Sequence, residues 1–195
     1  FEIVNLEQLK DIDYLFLAAP IDINQELAVK LVKKNKTVLN LGSFQENIPD
    51  VIGFHPLAGK EVTGYQSAQS DLFYNKVICI THSEFCAKES ITLIQELAHL
   101  MGADDFVTSN ENHNLSLAYT SHMIQILSMV FGNTLESQGF NDKLALIPAT
   151  AKEFLRLTGS DLKMWDPIIK KNQMNILKAF AEFEKNWREI RAVIQ

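Results

Sequence analysis

The sequence holds only two cysteines, Cys79 and Cys86, and no CxxC pair. That argues against a disulfide framework and a cysteine-based zinc site, and it favours a reducing, cytoplasmic setting. No apolar run approaches the roughly 20 residues that span a bilayer, so a membrane protein is not expected. Long Lys/Arg runs are missing too. With 18 basic and 24 acidic residues the formal charge is -6, which argues against nucleic acid as a partner. The opening FEIVNLEQLKDIDYLFLAAP lacks the basic and apolar regions of a signal peptide. It also lacks an initiator Met, so a processed chain or a piece of something longer is expected. None of the eight glycines falls in a GxGxxG turn behind a strand, the arrangement that binds a dinucleotide's phosphates. His113 and His122 lie nine residues apart, about half a helical turn out of phase, so no HxxxH metal site is expected.

What is present is enough for a sizeable core: 195 residues, 47% of them apolar. The front half alternates strand and helix. Tyr14–Ala19 is a short continuous apolar run closed by Pro20, as expected of a strand buried on both faces. A helix is expected over Asn24–Lys34, with Leu27, Val29, Leu31 and Val32 on its apolar side. Further strands are expected at Thr37–Leu41, Val51–Phe54, Val77–Ile80 and Phe106–Val107. Between Lys88 and Met101, Ile91, Ile94, Leu97, Ala98 and Met101 recur at helical spacing. This rhythm reads as a parallel or mixed α/β sheet.

After about Asn110 the pattern becomes all helix. His113–Leu135 has no Pro and reads as one nearly unbroken helix through Leu117, Ile124, Leu127, Val130, Phe131 and Leu135. A last helix starts near Pro167, which suits a first helical turn. Beyond Ile176 its apolar residues Phe180, Phe183, Trp187, Ile190 and Ile194 are spaced 4, 3, 4, 3 and 4 apart, the repeat of a helix packed lengthwise on another. Such a seam predicts a homodimer.

Ligand sites in open α/β sheets lie at the carboxyl ends of the strands. The ends here, Ala19-Pro20, Leu41-Gly42-Ser43 and Phe54-His55, are small or polar. His55 directly follows a strand and is fixed by Pro56; it either serves as a general acid/base or simply caps the strand. Arg156 lies between two apolar residues of a helix, where it either grips a substrate carboxylate or is an ordinary solvated Arg. Tyr119, His122 and Gln125 share one helical face, which either lines a cleft or is hydrated. Cys79 reads as a small core residue.

The segment HPLAGKEVTGYQSAQSDLFYNKVICIT resembles the HPMAG-E-G-LF-T segment of prephenate/arogenate dehydrogenases. DYLFLAAPI resembles that family's strand ending in an Ala-x-Pro cofactor loop, and VLNLGS its D-x-x-S strand end. NHNLSLAYTSHMIQIL is similar to its HD...SHLPH helix, and KEFLRLTGSDLKMWDPIIKKN to its D-F-x-R-x-A-x-S-D-x-x-M-W...N segment. The resemblance implies an α/β plus all-α protein: an incomplete Rossmann-type sheet over residues 1–109, lacking the Gly-rich part, then a helical substrate and dimerisation domain over 110–195. A nucleotide-binding segment upstream of residue 1 is then expected.

By the same resemblance the activity is an NAD- or NADP-dependent oxidative decarboxylation of prephenate or arogenate, giving 4-hydroxyphenylpyruvate or tyrosine. His55 would be the catalytic His, and Ser43 would sit between nicotinamide and substrate. Arg156 would pair with a substrate carboxylate, and Glu61 would help close the site. His122, Gln125 and Trp165 would lie on the substrate side; Ala19, Pro20 and Gly42 would meet the cofactor. Four departures stand out. Ser43-Phe44-Gln45 lacks the Lys of the family's S-V-K, and the stretch from Ser43 to His55 is short. The HD pair is His113-Asn114, and Gln125 replaces the second His of SHLPH. An alternative reading is therefore a catalytically impaired relative that binds ligand or dimerises. Other β-hydroxyacid dehydrogenases normally carry a catalytic Lys on the long helix, and Glu111–Gln138 contains none.

Overall fold

The computed structural model describes residues 12–33, 36–59, 66, 68–82, 86 and 88–195. Contacts divide the chain into two units, Phe1–His113 and Asn114–Gln195. The first is α/β and the second is helical.

The first unit runs β1 (Tyr14–Leu17), α1 (Ile21–Val32), β2 (Thr37–Asn40), β3 (Val51–Pro56), β4 (Val77–Thr81), α2 (Lys88–Leu100) and β5 (Asp104–Thr108). The five strands lie side by side in chain order. Neighbours are parallel except β3 and β4, which are antiparallel. The register sets Leu17 beside Asn40 and Asn40 beside Gly53, so β1 and β2 end together and β3 runs three residues beyond them, to Pro56.

Successive residues of a strand face opposite ways. Val38, with Leu17 and Val51, packs beneath Ala28 and Leu31 of α1. Leu39 turns to the other face, where Ile52, Phe54, Ile78 and Ile80 meet Ile94 and Ala98 of α2. The two helices thus cover opposite faces of the sheet. Each Val, Leu, Ile or Phe among them, fully buried, contributes about 1.5–3 kcal/mol. Helix α2 ends where Gly102, at φ +73, lets Ala103 N–H reach Ala98 O at 3.1 Å, a Schellman closure.

Several expectations need correction. β1 is not buried on both faces: it is the outermost strand among the described residues, with Tyr14 37% and Phe16 46% exposed. The two aromatics instead line an open apolar groove of about 260 Å³ with Leu93, Leu97 and Leu100 of α2. Helix α1 starts at Ile21, because Pro20 fixes the entry and its carbonyl accepts from Asn24 N–H. His55 does not follow β3 but lies within it, since antiparallel pairing with β4 sets it opposite Cys79.

The second unit takes up the helix α3 (Asn110–Leu117), which passes directly into a π-helical turn at Ala118–His122 and then α4 (Met123–Ser137). After a 3-10 turn at Phe140–Leu146 come α5 (Ala149–Arg156), a 3-10 turn at Leu157–Gly159, α6 (Leu162–Lys171) and α7 (Gln173–Ile194). The expected unbroken α-helix is therefore interrupted by the wider turn. Of its expected apolar set, Leu117 is buried and Leu127, Phe131 and Leu135 are half-buried, but Ile124 and Val130 turn outward. Ala118, His122, Gln125 and Ser128 are buried, whereas Ile124 is 39% and Val130 54% exposed. Pro167 is not at a helix start either. Asp161 caps α6 by accepting from Lys163 N–H at 2.9 Å, and Pro167 sits inside the helix. On α7, Ile176 and Ala179 are buried against the π turn, while Phe183, Trp187 and Ile190 stay exposed.

Gly53 has no room for a side chain: a Cβ would run into Thr81 Oγ1 and come 2.7 Å from Gln45 Cδ. Gly53→Ala is expected to lower stability by about 1–3 kcal/mol. Urea unfolding checks it through a fall in midpoint at constant slope.

Candidate functional site

At the carboxyl ends of β1–β3, carboxamides do the fastening. Asn24 Nδ2 donates to Leu17 O and to Asn40 Oδ1, while its own oxygen accepts from Ala19 N–H. Asn40 Oδ1 also accepts from Gly42 N–H, and its Nδ2 donates to Phe44 O and to Gln45 Oε1. Gln45, 3% exposed, returns its Nε2 to Gly42 O at 2.6 Å and Asn40 O at 3.3 Å. The loop bearing Gly42 and half-buried Ser43 is therefore held without a charged side chain. A buried cation at position 45 would cost several kcal/mol unless paired; a carboxamide avoids that.

A second set fixes the start of α3. Thr81 Oγ1 donates to Asn110 Oδ1, and Asn110 Nδ2 donates to Glu46 O and Asn47 Oδ1. Asn47 Nδ2 in turn donates to Glu111 Oε1 at 2.6 Å, which holds that carboxyl below its ordinary range. The result brings His113, 3% exposed, to His55: Nδ1 of His55 lies 3.0 Å from Nε2 of His113, with the rings edge to face. Cys79, opposite His55 in the sheet, is 5% exposed, and burial pushes its thiol up to about 11. At neutral pH it is an inert thiol.

In the helical unit, His122 is fully buried. Asn172 Nδ2 donates to Asn114 O at 2.7 Å and meets His122 Nδ1 at 3.0 Å. An amide N–H is a donor, so His122 Nδ1 is the acceptor and the ring proton sits on Nε2. Trp165 stands edge to face with His122, centroids 5.9 Å apart. Its Nε1–H is buried with no hydrogen-bond partner among the described residues. Gln125, 2% exposed, spends its amide on Leu157 O at 2.8 Å, just beyond Arg156. The hydrated-face reading of His122 and Gln125 is thus set aside, whereas Tyr119 is only half-buried. Arg156, its side chain 48% exposed, pairs with Glu153 of its own helix at 3.3 Å. Glu61 lies outside the described residues. Among the described residues, no group of three or more His, Cys, Asp or Glu could hold a metal ion.

Residues 1–106 match the family model of the prephenate dehydrogenase nucleotide-binding domain, and residues 109–195 that of the prephenate dehydrogenase dimerization domain. The chain belongs to the prephenate dehydrogenase family. It is 22% identical to the cyclohexadienyl dehydrogenase of Zymomonas mobilis, across 96% of this chain and 70% of that protein. It is likewise 22% identical to the Bacillus subtilis prephenate dehydrogenase, again across 96% of this chain but only 55% of that one. Among solved structures, prephenate dehydrogenase from A. aeolicus in complex with hydroxyphenyl propionate and NAD+ superposes with a TM-score of 0.87 at 23% identity, covering 98% of this chain and 73% of that one. Synechocystis arogenate dehydrogenase gives 0.82 at 20%, covering 97% and 74%. An α/β part of Rossmann type followed by a helical part is therefore the prephenate dehydrogenase architecture.

Two residues of the arrangement escaped the sequence reading as site residues, although both stand in segments that resemble prephenate dehydrogenase motifs. His113 opens the stretch similar to HD...SHLPH, and Asn172 closes the one similar to M-W...N. Replacing Asn172 with Leu strips His122 Nδ1 and Asn114 O of a buried donor. Asn172→Leu should cost about 1–3 kcal/mol of the helical unit's stability, read by thermal unfolding; an unchanged transition would refute that role.

Proposed function

We propose that this chain carries out the oxidative decarboxylation of a prephenate-type ring acid, prephenate or arogenate, with NAD or NADP. The observation that carries the reading is a histidine, His55, set at the end of three parallel strands and hydrogen-bonded through one ring nitrogen, within a chain of this family. The other ring nitrogen, Nε2, is the one a substrate hydroxyl would use.

The residues present fit the nicotinamide end of a dinucleotide. Ala19-Pro20 and Gly42-Ser43 follow β1 and β2, and their backbone is fastened inward by Asn24 and Asn40. Space at Gly42 is close: a Cβ would stand 3.2 Å from Asn40 Oδ1. The 195 residues contain no glycine-rich turn for a pyrophosphate. When bound, the cofactor supplies the hydride acceptor. Hydride leaves the hydroxyl-bearing ring carbon, and the hydroxyl proton passes to His55. The bond to the ring carboxylate breaks, carbon dioxide departs, and its electron pair makes the ring aromatic. The phenolate oxygen then recovers the proton from His55. Aromatisation drives the step, so the protein mainly positions and exchanges one proton.

Ser43 would stand between nicotinamide and substrate, with Glu61 helping to close the site. The His122 Nε2–H and the buried Trp165 Nε1–H are donors suited to a substrate oxygen, and Gln125 holds the turn after Arg156. Arg156 is released from Glu153 at little cost, because an exposed pair of this kind is worth about 0–1 kcal/mol. In this reading it pairs with a substrate carboxylate. We place residues 1–109 on the nucleotide side and 110–195 on the substrate and dimerisation side. Both cysteines are free thiols, which fits a reducing cytoplasm. No described helix is long and apolar enough to cross a membrane.

His55→Asn should lower kcat about 10²–10⁴-fold while leaving the circular dichroism spectrum unchanged; undiminished turnover would sink the reading. The exposed row Phe183, Trp187, Ile190 and Ile194 on α7 is proposed to pair with a second copy. Sedimentation should show a dimer at micromolar concentration and a monomer for Trp187→Asp. A monomeric wild type would refute the pairing.

A further inference from the structure

We propose that His113 is a positioning residue that fixes the tautomer of His55, keeping the proton on Nδ1 so that Nε2 stays basic. The inference rests on the dehydrogenase reading, which needs His55 to accept a proton, and it extends that reading to a residue given no role so far.

The geometry is specific. A contact of 3.0 Å between His55 Nδ1 and His113 Nε2 is a hydrogen bond only if one nitrogen carries hydrogen and the other offers a lone pair. Two arrangements satisfy it. In one, His113 donates, and neutral His55 then carries its proton on Nε2 and cannot act there as a base. In the other, His55 donates from Nδ1, and Nε2 keeps the lone pair. Proton abstraction selects the second. The partner then acts as the carboxylate of a catalytic triad does, holding the imidazole in the useful tautomer and orientation. Here the orienting group is a neutral ring whose own proton is on Nδ1.

The neighbourhood makes His113 fit for this task. It is 3% exposed, so water does not compete for its ring. Its backbone N–H bonds Ser109 O, and the helix that carries it begins at Asn110, locked to Thr81, Glu46 and Asn47. His55 is equally fixed, by β-pairing with Cys79 and by Pro56 after it. A ring pair held from both sides defines a proton position instead of sampling two. A carboxylate in the place of His113 would also orient His55, but would bury a charge in a region otherwise fastened by neutral amides.

The test uses the full-length protein with ¹⁵N-labelled histidine. Nitrogen shifts at pH 8 should report His55 as Nδ1–H with an unprotonated Nε2. In His113→Leu the Nε2–H form should take over, with kcat falling about 10²-fold and KM nearly unchanged. His113→Gln, whose Oε1 can accept where Nε2 did, should restore the Nδ1–H form and most of kcat. Wild-type His55 in the Nε2–H form would overturn the inference, as would a tautomer unmoved in His113→Leu. Should His113→Leu not fold, the wild-type spectrum and the Gln variant decide alone. Undiminished turnover in His55→Asn would instead defeat the dehydrogenase reading, whatever the spectrum shows.

Discussion

The α/β unit depends on carboxamides, Asn24 and Gln45 buried and Asn40 half-buried between them, that donate and accept at once. Asn40 is the centre: one oxygen receives Gly42 N–H and Asn24 Nδ2, while its nitrogen reaches Phe44 O and Gln45 Oε1. An aspartate at that position could accept but not donate, and Phe44 O and Gln45 Oε1 would each lose a partner. The resemblance noted in the sequence has Asp there and Lys at the position of Gln45. Asn40 and Gln45 thus form a matched neutral pair in which both replacements make sense together. Desolvating two charges is avoided, and the loop gains a geometry that charge attraction alone would not specify.

A similar economy governs the helical unit. Its most buried helix face carries Ala118, His122, Gln125 and Ser128 in place of a leucine stripe. Each of these three polar residues makes a specific bond: Asn172 to His122 Nδ1, Leu157 O to Gln125 Nε2, and the helix's own carbonyl to Ser128 Oγ. With polar residues on that face, Ile124 and Val130 of α4 turn outward, as do Phe183, Trp187 and Ile190 of α7. An outward apolar surface is what a family model called a dimerization domain would require.

Much of this was legible beforehand. Continuous runs at Thr37–Leu41 and Val77–Ile80 became strands, and the Ile91–Ile94–Ala98 spacing became α2, because those segments are buried and periodicity reports burial. The failures share a cause. Nothing local distinguishes an edge strand from a central one, so the run through Tyr14 and Phe16 reads as interior although, among the described residues, no strand pairs with the outer side of β1. A hydropathy pattern leaves His122 and Gln125 open between a cleft and solvent, since it cannot know that Asn172 and Leu157 O, 50 and 32 residues away, bond them. The pairing of His55 with His113 spans 58 residues and has no local signature; the sequence offers the second ring only as an unmatched metal ligand and as part of a resembling motif.

The π turn at Ala118–His122 sets a limit of another kind. In an α-helix each residue advances the next by about 100° around the axis, and the wide turn takes up one residue more than an α turn does. Adding a residue after it would swing Gln125 and Ser128 out of the interior and bring Ile124 round to where Gln125 sits. Losing one lets the wide turn close to an ordinary α turn, with the facing of α4 kept. Substitutions in this stretch change one side chain, but an insertion re-indexes every position that follows on α4. Among descendants of this sequence, the segment from His113 to Ser128 should gain residues far less readily than it changes lettering, and a loss should fall in the wide turn.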